Sequence, residues 1–161
     1  MSEIDEFKRF IDLGNSSEVD RLLIYGANIN CTDMFGYTPL HWAAMKGRVE
    51  IVTLLISKGA SLDQKCLNYS FTALHSAINE NQNAVINALI NSGANIMAKD
   101  KDGNTPLHFA SMMGNDSVVH KLLSLGANVN ATDNQGVTPI FLANYCGHGR
   151  VVNILRNAGA Y

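Results

Sequence analysis

The chain has 161 residues, 47% of them hydrophobic and 16% charged, and a formal net charge of −2. That is enough apolar material for one core, which excludes the disordered class, and there is no basic excess to draw nucleic acid or anionic lipid. The three cysteines, Cys31, Cys66 and Cys146, are odd in number and irregular in spacing, which excludes a disulfide framework and points to a reducing compartment, the cytoplasm or nucleus.

In chain order, the N-terminal stretch carries acids and no apolar run, so neither a secretion signal nor a membrane span is expected. A first helical unit follows, with Lys8 and Arg9 where later units place a histidine. The second unit opens on Asp33–Gly36, aspartate first and glycine fourth, the signature of a type I β-turn. Thr38 is a good N-cap, and Pro39 falls at the first helical position, where a missing N–H costs nothing. Leu40, Ala43 and Ala44 then lie on one helix face, Gly47 ends the helix, and a second helix carries Ile51, Val52, Leu55 and Ile56 up to Gly59. The third unit repeats this with Thr72-Ala73-Leu74-His75. It has Ser70 in place of the turn glycine and one extra residue before Thr72, which predicts a longer or bulged turn. The fourth, with Asp100–Gly103 and Thr105-Pro106-Leu107-His108, is regular. The fifth has Asp133–Gly136, Thr138-Pro139-Ile140-Phe141 and a Gly147-His148-Gly149 loop. Its Arg156 occupies the place of Leu23, Ile56, Ile90 and Leu123, which suits an outer face.

The threonines at 38, 72, 105 and 138 are 34, 33 and 33 residues apart. The Gly-Ala pairs at 26, 59, 93, 126 and 159 keep the same rhythm. Each period is a turn plus two antiparallel helices. One such unit cannot bury its own apolar face, so the units must stack.

The pattern Asp-x-x-Gly-x-Thr-Pro-Leu-His-x-Ala, an apolar helix, then Gly-Ala closely resembles the ankyrin repeat, over essentially the full length. The expected fold is an all-α ankyrin-repeat solenoid. It forms a single domain over 1–161 with about five helix-turn-helix units: an N-terminal cap at 1–32, then 33–65, 66–99 and 100–132, and a C-terminal cap at 133–161. The resemblance implies an L-shaped stack with β-turn fingers to one side and the first helices lining a concave face. It also implies that His41, His75 and His108 link neighbouring repeats by hydrogen bonds. A metal shared between them is not expected, because neighbouring helices sit ~10 Å apart, too far for one ion. Asn30 and Asn130 occupy a place that can be hydroxylated in the family.

No GxSxG, HExxH or P-loop motif is present, and no thiol has an activating partner, so neither an enzyme nor a cofactor is expected. Ankyrin domains bind through the fingers and the ends of the first helices. The candidate partner-binding residues there are Met34, Phe35, Tyr37, Met45, Lys46, Tyr69, Phe71, Lys101, Asn104, Met112, Met113 and Tyr145. Many are large and apolar where exposed positions are polar by default, which marks an interaction surface. Trp42 either extends this patch or fills the gap between units. Lys46, Lys65, Lys99 and Lys101, set against Glu80 and Asp102, either steer an acidic peptide or form ordinary solvated surface, as rim charges usually do. The expected function is a monomeric protein–protein interaction module acting as adaptor, scaffold or inhibitor. The alternative is a binder of a small ligand or nucleic acid on the same face.

Overall fold

The computed structural model describes residues 2–161. The chain divides into two compact units, Met1–Ala94 and Asn95–Tyr161. The described residues are all-α, with ten helices in five pairs and no strand. The first unit holds α1 (Glu3–Leu13) with α2 (Ser16–Ile24), α3 (Pro39–Met45) with α4 (Val49–Ser57), and α5 (Ala73–Asn79) with α6 (Asn83–Asn91). The second holds α7 (Pro106–Met112) with α8 (Asp116–Ser124) and α9 (Pro139–Tyr145) with α10 (Gly149–Asn157). No helix is long and apolar enough to cross a membrane.

The repeat motif starts each short first helix as its chemistry requires. Thr38, Thr72, Thr105 and Thr138 are N-caps in extended backbone, and proline follows three of them. At 38, 72 and 105 the cap is reciprocal, but histidine takes the part usually played by Glu or Gln. The Nδ1 of His41 accepts from the backbone N–H of Thr38 at 3.2 Å, and the Thr38 hydroxyl donates to the same nitrogen at 2.8 Å.

Packing runs repeat to repeat within each unit. First helices pack on first helices (α1 on α3, α3 on α5, α7 on α9), and second helices on second helices (α2 on α4, α4 on α6, α8 on α10). The small faces make this possible, since Ala43, Ala44, Ala77, Ala110 and Ala143 are fully buried. Phe7, Ile11, Leu55, Ile86, Leu89, Leu122 and Leu155 fill the space between the layers. Arg156 is exposed, as its place on an outer face required.

The fingers behave as the turn signature predicts. Gly36 N–H donates to Asp33 O at 3.0 Å, and the Asp33 carboxylate accepts from the N–H groups of Phe35 and Tyr37. Adjacent fingers then bond to one another: Leu67 N–H to Phe35 O at 2.8 Å, and Asn134 N–H to Asp102 O at 2.9 Å. The third finger carries the extra residue in its turn. Ser70 N–H reaches Cys66 O, four residues back, and Ser70 adopts φ +56°, the left-handed backbone that glycine supplies elsewhere.

Further links hold neighbouring repeats in register. The Oδ1 of Asn30 accepts from Ser61 N–H at 2.9 Å, and Asn130 donates to Gly159 O at 3.1 Å. Both asparagine side chains therefore tie one repeat to the next.

Candidate partner-binding site

Two of the motif histidines, His41 and His108, act between repeats as well as at their own caps, while His75 is shown at its own cap with Thr72. Nδ1 accepts, so the ring proton lies on Nε2, which donates to a carbonyl of the following finger. His41 reaches Phe71 O at 2.9 Å, and His108 reaches Val137 O at 3.1 Å. Burial lowers the pKa of both rings below the ordinary histidine value of 6.5, and the acceptor carbonyls offset this only in part. An added proton would have to go on Nδ1, displacing the threonine cap. The folded chain therefore refuses protons that the unfolded chain takes up below pH about 6.5. The stability these rings confer is complete above that pH and is lost as the pH falls further. The melting temperature should hold steady above neutrality and drop as the pH falls below about 6.5, and a flat profile there would contradict the neutral-ring geometry.

In the first repeat Lys8 replaces this histidine and makes the link differently. Its Nζ lies 2.9 Å from Asp33 Oδ2 and 4.4 Å from the centre of the Trp42 ring, while Trp42 Nε1 donates to the same carboxylate oxygen at 3.2 Å. Burial pushes the Asp33 carboxyl up. The Lys8 hydrogen bond and those from the Tyr37 and Phe35 N–H groups outweigh it and hold the group below the usual carboxylate range. Trp42 is thus engaged at the seam between two repeats.

A second set of links comes from the residue just before α4, α6 and α10. Arg48 donates to Ile11 O, Gln82 to Met45 O at 3.3 Å, and His148 to Met112 O at 2.9 Å. Each reaches a carbonyl near the end of the preceding repeat's first helix. The Gly-His-Gly loop thereby gains a structural role: it presents His148 to Met112.

Between fingers and first helices each unit carries a groove. In the first unit Tyr37, Met45, Tyr69, Phe71, Ser76, Asn79 and Glu80 line a groove of about 360 Å³. Tyr69 and Phe71 have ring centroids 5.4 Å apart. Burial, then the neighbouring Cys66, pushes the Tyr37 phenol up to about 12, so it stays protonated at any physiological pH. In the second unit Asp102, Asn104, His108, Phe109, Met112, Asp133, Asn134, Gln135, Val137, Phe141, Leu142 and Tyr145 line a groove of about 390 Å³. Phe141 and Tyr145 lie almost parallel, 6.3 Å apart and 10° from coplanar, and are 57% and 82% exposed.

The sequence candidates distribute as follows. Tyr37, Met45, Tyr69 and Phe71 come together in the first groove, and Asn104, Met112 and Tyr145 in the second. Met34, Phe35, Met113, Lys46 and Lys101 line neither groove. Met34 is 82% exposed on its finger, Phe35 offers its carbonyl to the next finger, and Met113 caps the end of α7. Lys46 pairs with Asp12 at 2.9 Å, and the Lys101 carbonyl accepts from Asn134 Nδ2. Lys99 donates to Thr132 O at 3.1 Å. No lysine or arginine lines either groove, and the charged side chains that do are acidic.

Ser76, Phe109, Phe141 and Asp133 were not among the candidates. The signal for Ser76 is its size: it occupies the position of Trp42 and Phe109, and a small residue there opens space beside Tyr37 and Phe71. The signal for Phe141 is its substitution for the motif histidine.

Comparison with known proteins agrees with this architecture. A model of ankyrin repeats (three copies) matches residues 10–100 and 85–161. Alpha-latrotoxin-Lh1a of Latrodectus hasselti is 41% identical over 86 residues, which are 53% of this chain and 6% of that protein. SH3 and multiple ankyrin repeat domains protein 1 of Homo sapiens is 36% identical over 106 residues, 65% of this chain and 5% of that protein. The chain thus spans only a small fraction of the length of these relatives. With both repeat markers, the paired helices and the model match over nearly every residue, the chain belongs to the ankyrin-repeat family.

Proposed function

We propose that the chain is a protein-binding module, serving in the cytoplasm or nucleus as adaptor, scaffold or inhibitor, and that it grips its partner through the two grooves without catalysing a reaction. The observation that carries this reading is the concentration of aromatic and methionine side chains along the grooves, with Tyr69 and Tyr145 left 51% and 82% exposed. Exposed clustered apolar surface costs solubility unless a partner covers it, and aromatics and methionine supply adaptable contact area at interface centres.

The test is affinity capture from the source cell, comparing the natural chain with one carrying Tyr37→Ala, Phe71→Ala and Met112→Ala together. Recovery of specific partners should fall at least about tenfold, which corresponds to roughly 1.4 kcal/mol of binding. Recovery of the same proteins at the same strength by the triple variant would refute the groove assignment.

A further inference from the structure

We propose that the groove of the second unit receives an arginine side chain of the partner peptide, its charge on Asp102 and Asp133 and its flat face against the Phe141–Tyr145 ring pair. The proposal rests on the reading of the grooves as peptide-binding sites and names the chemistry of what enters this one.

Three observations converge. The first is charge. The ionisable side chains lining this groove are Asp102, Asp133, Tyr145 and His108, and His108 is buried, so the charges on the lining itself are carboxylates.

The second is a seat that the chain fills for itself elsewhere. Asp33, Asp100 and Asp133 open equivalent fingers, and each uses Oδ1 to accept two backbone N–H groups of its own turn. At Asp33 the second oxygen holds the Lys8 ammonium, which also lies over the Trp42 ring. At Asp100 the second oxygen accepts from Asn104 Nδ2 at 3.2 Å. At Asp133 the second oxygen has no partner among the described residues, and neither does the exposed Asp102 carboxylate. A finger aspartate with a cation on its second oxygen and an aromatic ring beneath is therefore an arrangement this fold builds where its first two repeats meet; at Asp133 that oxygen is open and the rings beside it are Phe141 and Tyr145, with Leu142 at the position of Trp42.

The third is shape. Two exposed, nearly parallel rings offer flat faces, and a guanidinium stacks on such faces while its fork meets carboxylates. A lysine provides only a point charge on a flexible stem, so arginine suits this site better.

The experiment selects short peptides from a random display library on the full chain. It then measures the selected peptides by fluorescence anisotropy against the natural chain, Asp102→Asn and Tyr145→Ala. Both positions are exposed, so the variants should melt as the natural chain does. The expected result is enrichment of arginine at a fixed place in the selected peptides. Affinity should fall about tenfold or more for either variant, and similarly when that arginine is replaced by citrulline. Selected peptides that lack a basic residue, or that bind both variants as tightly as the natural chain, overturn the arginine assignment and leave peptide binding standing. Failure to select any peptide above background overturns both.

Discussion

Replacing His108 with alanine should cost about 3 kcal/mol of folding stability, measured as a shift in the denaturant midpoint. The ring is fully buried and serves three groups: the backbone N–H and hydroxyl of Thr105, and the carbonyl of Val137. Alanine leaves the buried Thr105 N–H without a partner, at roughly 1–3 kcal/mol, reduces Val137 O to its bond from the Asp133 N–H, and opens a cavity as well. Phenylalanine at 108 should recover part of the volume and none of the hydrogen bonding, and so fall between the two. The natural chain tolerates Phe141 at the equivalent place in its last repeat, where the ring is 57% exposed. An alanine variant within about 0.5 kcal/mol of the natural chain would mean that the histidine link is not a principal source of cohesion.

Gly103→Ala should be destabilising by a similar amount, about 3 kcal/mol, from two separable causes. Its φ of +86° is strained for any residue with a side chain, at roughly 1–2 kcal/mol. A Cβ there would also sit 2.8 Å from the backbone nitrogen of Asn134, the donor that joins this finger to the next. Gly136 provides the control, because it has φ +79° but nothing within 4 Å of where its Cβ would lie. Gly136→Ala should therefore show the backbone strain alone. Equal losses at the two positions would mean that the contact between fingers carries no weight.

Much of the architecture was legible in the chain. The Thr-Pro and Gly-Ala markers gave both the period and the helix boundaries, because capping and left-handed backbone are local demands that few residues meet. The irregular third finger was also readable, since Ser70 and the extra residue violate the turn pattern at one point. The links between repeats were less visible. Arg48, Gln82 and His148 share a position and a task but no chemical class, so nothing in their spelling announces it. The charge of the grooves was hardest to read. The lysines near the fingers appeared to set its sign, yet Lys46 turns to Asp12 and Lys99 to Thr132 O, leaving the acidic groups to line the grooves. Long flexible side chains choose partners in three dimensions, and repeat position does not dictate that choice.

Four of the carbonyls that receive links between repeats belong to Met45, Phe71, Met112 and Val137, and the side chains of these same residues line the grooves. A backbone oxygen accepts equally well whatever side chain its residue carries. Evolution can therefore respell the groove lining at these sites while the scaffold beneath stays fastened, and a descendant of this chain could present a different face without first becoming unstable.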